Sequence, residues 1–208
     1  MRNHRTIFMC MLAILFLVPL SAAGYVETME VSGPITTVPN SISDYEGHPV
    51  AVFAGGCFWG VEHLFERQPG VLDAVSGYTG GWMEFPTYRY VLTGRTGHVE
   101  SVAVFYDPEL TSYEELAKFF FEIHDPTQLG GQGPDIGLQY ESVVFYGNSL
   151  ERETAERLIG TLQGLGYNVV TRIRPRTQFY RAEGYHQDYY ERFGGTPYCH
   201  AYTKRFPD

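Results

Sequence analysis

The chain has 208 residues, 44% apolar and 19% charged, which fits one globular domain plus a small extra segment and excludes a long repeat array or a wholly disordered chain. Fifteen basic against twenty-four acidic side chains give a net charge of -9, and the basic residues do not cluster, so no nucleic acid partner is expected. Three cysteines with no paired CxxC motifs are too few for a disulfide framework and do not form a structural zinc site.

Arg2 and Arg5 precede an apolar run from Ile7 to Leu20, and Ser21, Ala22 and Ala23 follow it with the small residues a signal peptidase needs. Fourteen residues rise about 21 Å as a helix, short of the roughly 30 Å hydrocarbon core of a membrane. The pattern predicts an export signal over residues 1–23, cleaved near Ala23, and a periplasmic or secreted protein without a remaining membrane anchor. Cleavage removes Cys10 and leaves Cys57 and Cys199 in an oxidising compartment, where a pair of thiols is either a structural staple or a redox couple.

Residues 24–49 carry Pro34, Pro39 and Pro49 among scattered Ser and Thr, which predicts a linker or arm ahead of a catalytic domain over residues 50–208. Val50 to Ala54 is a short apolar run stopped by Gly55 and Gly56, as in a buried strand. From Phe58 to Arg67 the apolar residues take helical intervals until Pro69 and Gly70. Val71 to Thr79 and Val99 to Tyr106 are strand-like, with a long loop between them. Thr111 and Glu114 form a capping box ahead of Leu116, Phe119, Phe120 and Ile123, which share one helical face. Ser142 to Tyr146 predicts a strand, and Asn148 with Glu151 caps a helix carrying Leu150, Leu158, Ile159, Leu162 and Leu165. Val169 to Ile173 predicts a last strand, and residues 174–208 show no clear period. This order predicts a single α+β domain: a split βαβ (ferredoxin-like) sheet with helices packed on it and a long irregular C-terminal tail.

Cys57 lies at the turn from a strand into a helix, where unpaired N–H groups and the helix dipole favour a thiolate. Its flanking glycines allow close approach to the backbone, and Phe58 and Trp59 adjoin it. Glu100 opens a strand, where its carboxyl either faces a pocket or is solvated. His98 and Glu100 make half of a zinc deaminase pattern, but the PCxxC half is missing, so no metal is expected. No phosphate-binding glycine loop is present. The polar, glycine-rich stretch from His124 to Tyr140 has the composition of a site loop and contains Asp135 and Tyr140, while Tyr88 lies in another long loop.

GGCFWGVEHLF, GYTGG, PTY, TGHVE, YDP, HDPTQ, QGPDIGLQY and AEGYHQDY, in this order over roughly residues 50–190, closely resemble the type A peptide methionine sulfoxide reductases. The resemblance implies reduction of methionine-S-sulfoxide, free or in oxidised proteins, as a repair of oxidative damage. It implies Cys57 as nucleophile, Glu100 as proton donor, and Tyr88 and Tyr140 as hydrogen bond donors to the sulfoxide oxygen. Asp135 is similar to the family's acidic residue in the same loop, and Phe58 with Trp59 would surround the substrate methyl. Cys199, in a glycine-containing tail, resembles the family's recycling cysteine. It would condense with the Cys57 sulfenic acid to a disulfide that thioredoxin or an exported equivalent reduces. No bound cofactor is implied, and a monomer is expected.

The chain departs from the pattern at Phe85, where asparagine usually precedes PTY, at Glu141, where arginine is common after QY, and in the tail GGTPYCHAY. His186 of YHQ resembles a family position near the site and reads as structural support. Two other readings use the same residues. In one, Cys57 is a hydrolase or acyltransferase nucleophile activated by His98 or His186. In the other, Cys57 and Cys199 form a permanent staple in a secreted binding module.

Overall fold

A computed structural model of the protein describes residues 47–207. The expected export signal over 1–23, and all but the last three residues of the arm over 24–49, lie outside the described residues. No helix among those described is long and apolar enough to cross a membrane.

The fold grows from four strands: β1 (Val50–Gly55), β2 (Val71–Thr79), β3 (Val99–Tyr106) and, later in the chain, Ser142–Tyr146. β1 and β3 are buried at every position, because they lie in the middle of the sheet and both faces are covered. Between β1 and β2 runs α1 (Phe58–Phe65), and the loop from β2 to β3 contains a single turn, α2 (Tyr88–Val91). α3 (Tyr113–Ile123) follows β3. A two-residue hairpin of β4 (Gly131–Gln132) and β5 (Asp135–Ile136), then a 3-10 turn over Leu138–Tyr140, lead into β6 (Ser142–Tyr146). α4 (Ser149–Gly164), β7 (Arg172–Pro175), β8 (Tyr180–Arg181) and α5 (Tyr189–Phe193) complete the chain.

The sheet order is β7-β6-β1-β3-β2-β8. Its inner four strands, β6-β1-β3-β2, are antiparallel throughout, as a split βαβ connection requires. β7 joins β6 in parallel and β8 joins β2 antiparallel. Strand alternation then sorts the core into two layers. Ala51 and Phe53 of β1 face the helices, where Phe53 stacks on Phe120 and Phe65 with ring centroids 4.9 and 5.4 Å apart. Val50, Val52 and Ala54 face the other side, against Phe105, Phe145 and the fully buried Phe179 of the C-terminal segment. The expected α+β class is therefore the one observed.

Four local expectations are corrected. The cap of α3 is one residue later than Thr111 and Glu114: Ser112 Oγ accepts from the Glu115 N–H and donates to its carboxylate. Glu114 instead meets Lys118 and Arg157 at the surface. In α4 Asn148 caps as expected, but Leu150 and Leu165 are exposed, since both lie off the face that buries Ala155, Leu158 and Leu162. The last sheet strand over the Val169–Ile173 region is β7, three residues further on. It is an edge strand that shows only one core residue, Ile173, between an exposed Arg172 and an Arg174 that lies over the Phe145 ring and donates to the Gly80 carbonyl, so its composition does not read as a strand. The tail is not wholly irregular: β8 extends the sheet and α5 packs on α1.

Candidate active site

The strand-to-helix turn is built by glycines. β1 ends at Gly55, and Gly56 has a φ of +98°, where a side chain would also lie 2.4 Å from Cβ of Gln132. The chain therefore delivers Cys57 to the N-cap of α1, 6% exposed and making no capping bond of its own. The N–H groups of the first turn are put to other use. Phe58 N–H donates to Glu100 Oε2 at 3.1 Å, and Trp59 N–H favours the ionised Cys57 sulfur without making a capping bond to it.

Burial sets the protonation states here. Burial pushes the Cys57 thiol far up, an ionised Glu100 pushes it further, and the Trp59 N–H opposes both. The thiolate expected from the helix entrance is thus not the resting form. A helix terminus contributes about 0.3–2 kcal/mol, whereas full desolvation moves a group by up to about 3–5 pK units, or roughly 4–7 kcal/mol. Glu100, on β3 opposite Tyr78 of β2, is 1% exposed. Burial raises its carboxyl to about 8, with the Phe58 N–H acting against the shift and Asp135 adding to it. At pH 7 it is mostly a neutral acid able to donate a proton.

Two tyrosines complete this side. Tyr88 begins α2, its N–H held by Glu183 Oε1 at 2.9 Å, and its ring lies 4.3 Å from His186 and 6.4 Å from Phe58. Burial pushes its hydroxyl up, with Glu100, Tyr140 and Cys57 adding to the effect. Tyr140 ends the 3-10 turn, and its hydroxyl is pushed up to about 12 by burial and then by Glu100. Both hydroxyls thus remain protonated donors within the electrostatic reach of Glu100 and Cys57. Asp135, on β5, is half-buried and accepts from Tyr198 Oη at 2.7 Å.

Phe58 is 1% exposed, so its ring belongs to the wall more than to the opening. Trp59 is partly buried and fixed twice: its indole N–H donates to His186 Nδ1 at 3.0 Å, and its ring stacks on Tyr189 at 3.8 Å. The His186 Nδ1 lone pair is thereby occupied, its Nε2 is buried without a hydrogen-bond partner among the described residues, and burial pushes the ring down to about 4. The ring nitrogens of His98 meet Gly81 N–H and the Met83 carbonyl. Neither histidine touches Cys57, so the hydrolase reading has no base in place.

Cys199 reaches the site from the tail. Its sulfur faces the backbone N–H of Cys57 and the carboxyl of Asp135, and both cysteines are free thiols. Burial, with Asp135 second, pushes the Cys199 thiol up to about 12. The tail is clipped down on both sides of Cys199: Tyr198 bonds Asp135, and Thr203 N–H donates to the Glu122 carbonyl at 2.7 Å. The residues singled out from sequence therefore converge on one end of β1. Three participants were not anticipated. Glu183 joins Tyr78 Oη and Tyr88 N–H, Gln132 packs on Gly56, and His200 lies beside Cys199. All three stand in stretches without periodicity, although the Tyr-Cys-His string was visible. The two departures also have places. Glu141 accepts from Arg172 at 3.0 Å, and Phe85 adopts a φ of +49° that asparagine tolerates better than phenylalanine. Among the described residues no group of three or more His, Cys, Asp or Glu is placed to hold a metal ion.

Comparison with known proteins places the chain in a family. A family model described as peptide methionine sulfoxide reductase matches residues 49–207. Peptide methionine sulfoxide reductase MsrA 1 of Rhodopirellula baltica is 50% identical over 159 residues, covering 74% of this chain and 81% of the relative. The reduced form of Mxr1 from Saccharomyces cerevisiae has a similar structure, with a TM-score of 0.70 and 34% identity over 76% of this chain and 94% of that one. Mxr1 in complex with Trx2 is also similar, with a TM-score of 0.51 and 25% identity over 76% of this chain and 92% of that one.

Proposed function

Since the chain belongs to the type A peptide methionine sulfoxide reductases and is an enzyme that reduces methionine sulfoxide, we propose that Cys57 is its nucleophile, Glu100 its proton donor and Cys199 its resolving thiol. The observation that carries this reading is the meeting of Cys57, neutral Glu100 and Cys199 around the first N–H groups of α1.

Sulfoxide oxygen is a poor leaving group until it is protonated. Glu100, kept neutral by burial, supplies that proton, and the Tyr88 and Tyr140 hydroxyls donate to the same oxygen without adding charge. The positive end of the S–O dipole then lies over Cys57 and favours loss of its thiol proton, offsetting the desolvation that keeps the free site neutral. The Cys57 sulfur attacks the sulfoxide sulfur, the S–O bond breaks, and the oxygen passes to Cys57 as hydroxyl. The thiol proton replaces the one Glu100 gave. Methionine sulfur gains two electrons and Cys57 loses two, ending as a sulfenic acid. Cys199 then displaces that hydroxyl as water and closes a disulfide.

A thioredoxin-type dithiol would reopen the disulfide, a reading supported by the structure of Mxr1 with Trx2. The S epimer of methionine sulfoxide, free or in oxidised proteins, is proposed as substrate. Export is proposed from Arg2, Arg5 and the apolar run to Leu20. A monomer suffices, since every reacting side chain comes from one chain.

The test is a dithiol-dependent assay on both sulfoxide epimers, with the mass of Cys57 followed after one equivalent of substrate. The expected result is consumption of the S epimer only, a transient gain of one oxygen at Cys57, then a Cys57–Cys199 disulfide. Methionine formation with neither an oxygen on Cys57 nor a Cys57–Cys199 disulfide would overturn the proposal.

A further inference from the structure

The residue after Cys199 is a histidine whose ring turns back on the thiol. His200 Nδ1 lies 3.1 Å from Cys199 Sγ, and His200 Nε2 lies 2.7 Å from the carbonyl oxygen of Gly55. A carbonyl only accepts, so Nε2 carries the hydrogen and Nδ1 keeps a lone pair directed at the thiol. The ring is 6% exposed and lies against the first turn of α1 where that turn lacks a side chain: a Cβ on Gly60 would come 2.2 Å from Nδ1. A base of fixed tautomer is thus locked beside the sulfur that rests against the Cys57 N–H.

We propose that His200 is the general base that takes the Cys199 proton as Cys199 attacks the Cys57 sulfenic acid. The inference rests on the reading of Cys199 as the resolving thiol. The Cys199–Cys57 sulfur–sulfur bond forms, the Cys57 S–O bond breaks, and the hydroxyl leaves as water with the proton His200 received. Cys199 sulfur is oxidised by one electron equivalent and Cys57 sulfur is reduced by one.

The surroundings favour this role. The groups facing the pair are Asp135 of β5, His124 at the end of α3, Cys57, and Tyr190 and Tyr198 beside Cys199. Burial lowers His200, against the Gly55 carbonyl and Asp135, so the ring is neutral at pH 7 and free to accept. His124 is pushed down to about 3 by burial and stays neutral, engaged by the Phe120 carbonyl and Ser142 Oγ. Asp135 opposes ionisation of Cys199 by its charge. A thiol held near 12 has about one part in 10⁵ as thiolate at pH 7, so a base within hydrogen-bond reach accelerates its attack.

The test follows resolution alone. Reduced enzyme is mixed with one equivalent of a methionine sulfoxide peptide, quenched and alkylated, and the oxidised Cys57 and the disulfide are counted by mass. His200→Gln keeps a donor for the Gly55 carbonyl and lacks the base; His200→Asn lacks it as well; Cys199→Ser is the reference. In both His200 variants resolution at pH 7 is expected to slow by about 10²-fold. The deficit should shrink as pH rises toward about 10, because Cys199 ionises increasingly without help. A displaced tail would slow resolution by the same factor at every pH, so a pH-independent deficit, or a rate within about twofold of the parent at pH 7, overturns the role of His200. If Cys199→Ser consumes its sulfenic acid as fast as the parent, the resolving role of Cys199 itself fails, and the base with it.

Discussion

The two sulfurs proposed to react are held by different kinds of structure. Cys57 stands where a fully buried strand enters a helix, fixed by sheet pairing on β3 and β6 and by the aromatic stack below it. Cys199 stands in a tail without regular structure after Phe193, held by side-chain and terminal contacts instead of sheet or helix pairing: Tyr198 on Asp135, His200 on the Gly55 carbonyl and Thr203 on Glu122. At its far end Phe206 is buried, Arg205 N–H donates to Glu122 Oε1 at 3.0 Å, and the Arg205 guanidinium reaches the Phe121 carbonyl. The contrast matches the two halves of the chemistry. Attack on a sulfoxide needs reacting atoms fixed to fractions of an ångström. A resolving sulfur must close on Cys57 and then be opened by an outside reductant, which suits a segment with a low cost of local opening.

The sharpest way to break the comparison is to remove one sulfur at a time. Cys57→Ser should form no methionine at all. Cys199→Ser should form one methionine per enzyme and stop with thioredoxin as donor, resuming with a small dithiol; steady turnover by thioredoxin alone would erase the distinction. Next in size, Glu100→Gln keeps an acceptor for Phe58 N–H and should slow methionine formation by about 10²–10⁴-fold in a rapid-quench assay. The same variant has a pH signature. Below about 8 Glu100 is neutral and exerts no charge on Cys57, so alkylation of Cys57 should match the parent. Above about 8 the parent carboxylate holds the thiol up, and the variant should alkylate faster.

On the tail side, Phe206→Ala should cost about 3 kcal/mol in a urea titration. It should also slow disulfide closure several-fold, with the first methionine formed at the parental rate. Coupled loss of both steps would mean that the tail also shapes the first site. The smallest effect is expected far from both sulfurs: Ser112→Ala removes the α3 cap and should cost about 1 kcal/mol of stability without changing either rate.

Much of the catalytic half was legible as sequence. The strand that leads into Cys57 and the one that carries Glu100 announce themselves as apolar runs ending in glycine or Asp-Pro, because buried central strands must be apolar on both faces. The ordered motifs pointed to Cys57, Glu100, Tyr88, Tyr140 and Asp135, and the fold brings those residues to one end of β1. The edges were harder. β7 and β8 have two to four residues and half-solvated surfaces, so little in their composition separates them from loop. The missed α2 is a single turn, too short to show a period.

What the sequence determined alone was the order of the central strands and long helices, the family and the candidate reacting groups, since these depend on local pattern and on short strings of residues. What only the tertiary structure decided was their state and company. Cys57 rests as a thiol and Glu100 as an acid because long-range packing removes water from both, a desolvation that outweighs the local helix dipole. Glu183 beneath Tyr88, and His200 between Cys199 and Gly55, are neighbours across 95 and 145 positions of chain, and no local pattern encodes a contact made by folding over that distance.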